Sequence, residues 1–283
     1  MLALDIFEYN KKIQILDIWA AAIAEEPIYI NLFKKNIAHL NLFDGDLRQI
    51  ENIKTKYGDF SVSVFDKFIF NGKKTKVYIG SILGGMTSLY KPDKKALKFF
   101  NGFSNIGRVE EVKEVQTSKL DDVKELALID FAKLDVQGAE LTILENAEKK
   151  LKNTLAVQLE VSFFNLYHNQ PSFGQIDIWM RNRGFVPHCF LDIKKWSITP
   201  TIFNNDYRSP GKQLLEADIV YIKDPLNFQK LTDDQIFKSA IIANYCLKSI
   251  DLSVCYLQEL ERRKLIPENS YKKYIGNVKN LIN

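Results

Sequence analysis

Apolar and polar positions along the chain repeat with two different periods, and the switches between them outline a succession of short elements. "KIQILDI" (12–18) is a compact apolar run ending near Asp17, the pattern of a buried strand. "EEPIYINLFKKN" (25–36) follows, with Glu25 and Glu26 ahead of Pro27. That order suits a helix start, where proline forfeits no useful N–H and acids meet the positive end of the dipole. "AHLNLFD" (38–44) predicts a second strand, and "DLRQIENIKTKY" (46–57), with Leu47, Ile50 and Ile53 at helical spacing, predicts a second helix. Strand and helix in alternation argue for a parallel sheet with helices on its faces.

"FSVSVFDKFIF" and "KTKVYIG" then flank Asn71-Gly72, a dipeptide suited to a tight hairpin turn, so a β-rich pair is expected. "ILGGMTSLYKPD" (82–93) reads as a loop in which Gly84-Gly85 could act as a hinge, ahead of a helix at 93–100. Residues 108–123 predict a strand leading into a short helix, and 131–136 and 139–151 a further strand and helix. A buried strand is expected over 154–163, a helix over 173–183 closed by Gly184, a strand in "FVPHCFL", and a last strand over 216–224. Beyond about residue 226 the pattern is all-helical, with Ile236, Phe237, Ala240, Ile241, Tyr245, Leu247, Leu257 and Leu260 supplying apolar faces. The expected division is an α/β domain over 1–225 and a helical extension over 226–283, serving as a cap on the sheet, an oligomer contact or a lid.

Composition narrows the class without naming it. The 283 residues, 46% hydrophobic and 26% charged, are those of an ordinary globular chain able to bury a sizeable core. The net charge of +4 comes from 39 basic and 35 acidic residues spread along the chain, so nucleic acid is not an expected partner. Cys189, Cys246 and Cys255 form no C-x-x-C pair, and His39, His168 and His188 are scattered, so neither a disulfide framework nor a metal site is suggested. The first 30 residues lack the layout of a secretory leader and no run of about 18 apolar residues occurs, so a cytoplasmic protein without membrane insertion is expected.

The candidate chemistry lies at the strand ends. In open α/β sheets ligands bind beyond the carboxyl ends of the strands, near the point where strand order reverses. Asp17, Asp44, Asp135 and Glu160 all fall at or near such ends. Asp44 closes the second strand, where a carboxylate can accept from both hydroxyls of a ribose; "DGD" reads equally as a turn and helix cap. In "FAKLDVQGAELTILENA" (131–147), Gly138 suits a tight turn and Glu140 the first turn of a helix. Asp135 stands apart, because an acid amid apolar strand residues is costly to bury without partners.

"KLDVQGAELTILENA", then "QLEVSFFNLY" with "QPSFGQI", and "RGF" before a strand, resembles the signature of the FkbM family of S-adenosylmethionine-dependent methyltransferases. "GGMTSLYKPD" resembles that family's Ser-Leu-Tyr loop and "EADIVYIKD" its closing strand. The resemblance spans roughly residues 13–224 and is most specific over 131–174. It implies a class I methyltransferase fold, Rossmann-like, with seven strands mostly parallel and one inserted antiparallel. It further implies S-adenosylmethionine as cofactor, with Asp17, Trp19, Ala20 and Ala21 on its methionine side, Phe43 and Asp44 at its ribose, and Asp135 near the transferred methyl.

One position departs from the pattern. The family shows Asp-x-Gly-Ala after the first strand, whereas "LDIWAAAIAEE" has Trp19 where glycine is expected. Either the backbone there is unstrained and the ring turns away, or cofactor binding is damaged. For a hydroxyl acceptor, transfer needs alignment and one base. Asp135 and Glu140 are the leading candidates for that role, with Glu160 and His168 behind them; Ser88, Tyr90 and Tyr167 are candidate acceptor contacts. The expected activity is O-methylation of a sugar, glycan precursor or natural product. The competing reading is a non-catalytic binding or scaffolding protein with a degenerate cofactor loop. A nicotinamide-dependent dehydrogenase is excluded by the lack of G-x-G-x-x-G after the first strand.

Overall fold

The computed structural model describes residues 9–19, 26–45, 61–80 and 85–282. Seven strands form the central sheet: β1 (Ile13–Ile18), β2 (Ala38–Asp44), β3 (Val62–Asp66), β7 (Phe131–Leu134), β8 (Ala156–Ser162), β9 (Phe185–Trp196) and β10 (Gln213–Lys223). Their order is β3-β2-β1-β7-β8-β10-β9. β3, β2, β1, β7 and β8 run parallel, and β10 is inserted antiparallel between β8 and β9. This is the mostly parallel sheet with one reversed strand that the resemblance implies. The parallel strands are buried on both faces, which explains why β1, β2 and β8 read as nearly continuous apolar runs.

The region around Asn71-Gly72 is a correction. β4 (Phe68–Ile69) and β5 (Lys74–Gly80) do not pair with each other; β6 (Val109–Ser118) lies between them, parallel to β4 and antiparallel to β5. Gly72 has the expected positive φ of 80°, and Asn71 accepts from the Lys73 amide, so the turn forms. What the local signal could not supply is a partner from forty residues further on.

The helices follow their caps. In the short α1 (Ile30–Lys34) the regular turns cover less than the expected 25–36, and the helix predicted for 46–57 lies outside the described residues. Asp93 caps α2 (Lys94–Phe99) by accepting from the Lys95 and Ala96 amides, and α3 (Phe103–Ile106) follows. After β7 come α4 (Glu140–Glu145) and α5 (Phe173–Arg181), the latter opened by Ser172, whose amide bonds the Gln175 side chain. Thr232 and Gln235 form a reciprocal capping box at the start of α6 (Asp233–Tyr245), followed by α7 (Ile250–Arg262) and α8 (Ser270–Ile282).

Two apolar clusters lie on opposite faces of the sheet. On one face Ile13, Ile15, Phe131, Ala156 and Val220 pack under Ile236, Ala240, Leu257, Leu260, Tyr274 and Val278 of α6–α8. Lys238 of α6 donates to both oxygens of the buried Asp130, at 2.8 and 2.9 Å, and so ties the helical region to the start of β7. On the other face Leu16, Ile18, Phe43, Ala132, Leu134 and Leu159 pack with Ile143, Leu144, Ile176 and Met180 of α4 and α5, and with Ile69 and Val77 of the small sheet. Among the described residues no helix is long and apolar enough to cross a membrane.

Candidate active site

Strand order reverses between β1 and β7, because β1 connects to β2 on one side while its other neighbour comes from the second half of the chain. The cleft at their carboxyl ends is where the sequence-derived acids converge. Asp17 of β1 is paired in register with Lys133 of β7, and Lys133 and Asp135, two residues apart, share a face. The Lys133 Nζ lies 3.8 Å from Asp17 Oδ1 and 3.6 Å from Asp135 Oδ2. Tyr29, at the start of α1, donates its hydroxyl to Asp17 Oδ2 at 2.5 Å.

This face is apolar below, where α6–α8 cover it, and ionic above. Toward the carboxyl ends it carries Glu160 of β8 and, through the inserted β10, Glu216 and Asp218, with Asp218 directly opposite Glu160. Lys194 of β9 lies 2.8 Å from Glu216 and 3.6 Å from Glu160. Burial would lower both lysines, yet the surrounding carboxylates outweigh it and hold Lys133 and Lys194 above the ordinary lysine value. Burial, with Glu216 and Asp135 adding repulsion, raises Glu160 well above the usual carboxylate range; burial and Asp135 push Asp218 up to about 6.

Gln137 joins these groups. Its Nε2 donates to Asp135 Oδ1 at 3.3 Å and Glu160 Oε2 at 3.0 Å, and its Oε1 accepts from the Tyr167 hydroxyl at 3.1 Å. Its own carbonyl accepts from Ser88 Oγ at 2.7 Å. Gln137 has φ of 51°, and Gly138, next to it, 98°. Two successive residues in the left-handed region turn the chain sharply off β7. A Cβ on Gly138 would stand 3.1 Å from the Gln170 side chain, so glycine is required there for both conformation and space.

Several expected roles change. Glu140 does not reach the cleft: it is buried at the start of α4, and its Oε1 accepts from the Val136 and Gly138 amides, both at 3.1 Å. It clamps the turn that carries Asp135 and Gln137. Burial pushes its carboxyl up to about 8 against those hydrogen bonds. A folded-state value above the unfolded 4.5 means that the associated stability is fully present below about pH 4.5 and is lost as pH rises through about 8. Asp218 acts in the same direction. Thermal midpoints are therefore expected to fall between pH 5 and pH 8, and Glu140→Gln to flatten that fall; a midpoint rising over the range, or an identical slope in the variant, would refute the assignment.

Ser88 is also no free acceptor contact. It is fully buried, and its Oγ, besides bonding Gln137, accepts from the Tyr90 amide, so it fastens the 85–90 loop to the turn after β7. Tyr90 spends its hydroxyl on Thr142 at 2.8 Å and sets its ring edge-on to Phe70. Tyr167 is buried and spends its hydroxyl on the Gln137 side chain. His168 is half exposed, its Nδ1 3.8 Å from Asp93 Oδ2 at the cap of α2, and it takes no part in the acid cluster. Phe43 is fully buried and stacked on Phe65 at 4.4 Å, so its contribution at the cleft is its carbonyl, which accepts from the Trp19 amide. Asp44 is buried at the end of β2. Ala20 and Ala21 lie outside the described residues.

Trp19 takes φ of 62°, the left-handed conformation that glycine adopts freely. The chain thus keeps a glycine's turn while carrying an indole, at a cost of roughly 1–2 kcal/mol. The ring packs on the apolar cluster of the face opposite Asp17, edge-on to Phe68 at 6.3 Å. It turns away from the ionic face instead of filling it.

The residues that the sequence did not single out are Lys133, Gln137, Lys194, Glu216 and Asp218. Lys133 carried a signal, since a second charged residue two positions before Asp135 marks one polar face on a buried strand. The description "Methyltransferase FkbM domain" belongs to the family that matches residues 11–187, more than half of the chain. No curated protein matches significantly. Among solved structures the chain is similar to magnesium protoporphyrin IX methyltransferase from Synechocystis with bound S-adenosylmethionine (10% identity, 76% of this chain and 71% of that one, TM-score 0.38). It is also similar to 1,6-didemethyltoxoflavin-N1-methyltransferase from Burkholderia thailandensis (11% identity, 76% and 72%, TM-score 0.35) and to precorrin-6y C5,15-methyltransferase from Geobacter metallireducens (9% identity, 76% and 82%, TM-score 0.37).

Proposed function

The chain belongs to the FkbM methyltransferase family, and from that premise we propose that it transfers the methyl group of S-adenosylmethionine to a hydroxyl oxygen of a sugar, glycan precursor or natural product. The observation that carries the reading is the convergence of Asp17, Asp44 and Asp135 on the carboxyl edge of β2, β1 and β7, beside the reversal of strand order. The residues fit the cofactor: Trp19 takes a left-handed backbone conformation that glycine adopts freely, and its ring packs on the face opposite the ionic one. That fit speaks for a working cofactor loop and against the scaffolding alternative.

When bound, S-adenosylmethionine supplies an electrophilic methyl on a sulfonium. The chain supplies orientation. Asp44 accepts from the ribose hydroxyls, as a carboxylate closing a second strand can. Asp17, held by Tyr29 and Lys133, lines the methionine side. Asp135 keeps 23% of its side chain exposed, more than Asp17 or Lys133, and is the carboxylate best placed to accept the hydrogen bond of an incoming hydroxyl. Gln137 fixes its direction. Positioning of this kind is worth on the order of 7–11 kcal/mol when the reacting atoms are near attack geometry.

Calorimetric titration with S-adenosylmethionine and S-adenosylhomocysteine tests the reading. Micromolar binding is expected, weakened about 10-fold or more in Asp44→Ala, since a hydrogen bond to a charged group contributes about 1.5–3 kcal/mol. Trp19→Gly is expected to bind about as well as the natural chain. Binding that appears only in Trp19→Gly would show that the indole blocks the site and would sink the proposal.

A further inference from the structure

A groove of about 420 Å³ opens beside the ionic cleft, between β5 and the two loops that carry Leu89–Lys91 and His168–Asn169. Its size lies within the range of ligand sites, roughly 300–1,000 Å³. Along β5 the side chains alternate: Val77 enters the core, while Lys74, Lys76 and Tyr78 share the other face and line the groove. Lys91 faces them from the opposite wall. Glu114, the acid of the lining, is bridged by Lys74 at 2.6 Å and also attracts Lys76, its partner across the β5–β6 pair, while the His168 Nδ1 lies 3.8 Å from Asp93 Oδ2. Neither Lys76 nor Lys91 has an ion pair among the described residues. Lys74, Lys76 and Lys91 outnumber Glu114, so the lining carries a net positive charge.

Both loops are fastened to one residue of the cleft. Ser88, adjacent to Leu89, donates to the Gln137 carbonyl, and Tyr167, adjacent to His168, donates to the Gln137 side chain. The loops that line the groove thus share, through Ser88 and Tyr167, a bonded partner with Asp135. We propose that the methyl acceptor carries a phosphate group, seated between Lys76 and Lys91, with its hydroxyl directed past Gln137 toward Asp135. Ammonium groups on flexible stems bind phosphate oxygens as point charges, and an amide side chain such as that of Asn169 completes such a seat. This inference rests on the methyltransferase reading and narrows its acceptor to phosphorylated compounds.

The test is calorimetry on the full chain, with and without saturating S-adenosylhomocysteine, using glucose 1-phosphate, UDP-glucose, inorganic phosphate and methyl glucoside as probes. The phosphorylated probes are expected to bind and the uncharged glucoside not. Lys76→Gln combined with Lys91→Gln is expected to weaken phosphate binding about tenfold or more, as removal of charge-assisted contacts does, while S-adenosylhomocysteine affinity stays unchanged. Tighter binding of UDP-glucose than of glucose 1-phosphate would assign the phosphate to a nucleotide-linked sugar, and the reverse to a free sugar phosphate; either supports the proposal. Binding of S-adenosylhomocysteine without any phosphorylated probe, equal binding of the glucoside, or an unaffected double variant would overturn it. Phosphate binding through the two lysines in a chain that ignores S-adenosylhomocysteine would overturn the acceptor assignment and the methyltransferase reading together.

Discussion

Asp135→Asn is expected to slow methyl transfer by about 10²–10⁴-fold, the usual contribution of a positioned acid–base or orienting group, while donor affinity stays nearly constant. Asparagine keeps the shape of the side chain and an oxygen for the Gln137 amide, so the turn after β7 is preserved. What it removes is the carboxylate that, in the proposed reaction, draws the acceptor's proton. The measurement is transfer of labelled methyl from the donor to the phosphorylated sugars proposed as acceptors, alongside calorimetric titration of the donor. A variant with full turnover would remove Asp135 from the reaction. One that loses donor binding and turnover equally would assign it to the cofactor instead.

Lys133→Met should be the most destabilising single change in the cleft, by about 3–5 kcal/mol, because it keeps the buried stem but strands the carboxylates around it. Asp17, Asp135, Asp218 and Glu160 all act on this ammonium, and its side chain is only 14% exposed. The sign of the pH dependence follows. Without the lysine the carboxylates hold their protons to higher pH in the folded state, so the added penalty is large at pH 8 and shrinks toward pH 5. Urea midpoints of natural and variant chains at the two pH values check it. A loss that is the same at both would mean that packing, not charge, is what Lys133 contributes.

How much of this was legible in the sequence depended on whether the signal was local. β1, β2 and β8 were readable because burial on both faces forces an apolar run. Asp135 was readable because it broke such a run. Ser88 and Tyr90 were found as residues but not as roles, since nothing in "MTSLY" tells that a serine hydroxyl will be spent on a carbonyl forty-nine residues away. Glu140 looked catalytic because a carboxylate at a helix start has two uses, and only the geometry shows it folded back on the Val136 and Gly138 amides. Glu216, Asp218 and Lys194 reach the site through the antiparallel insertion of β10, a pairing that no short window contains. Gln137 gave the least warning: a polar residue before glycine reads as an ordinary turn, and its importance comes from Ser88, Glu160 and Tyr167, which three other segments present to it.

The shared core of β1 and the C-terminal helices has a consequence for the order in which the molecule can be completed. Ile13 and Ile15 of β1 belong to one apolar cluster with Leu257, Leu260, Tyr274 and Val278 of α7 and α8. Contacts so distant in sequence close slowly, because a long loop must be ordered before they reward it. One face of β1 therefore stays uncovered until α7 and α8 have been made and can fold back on it. Until then that apolar face is open to association with other chains, and the two helices act as the latch that closes it.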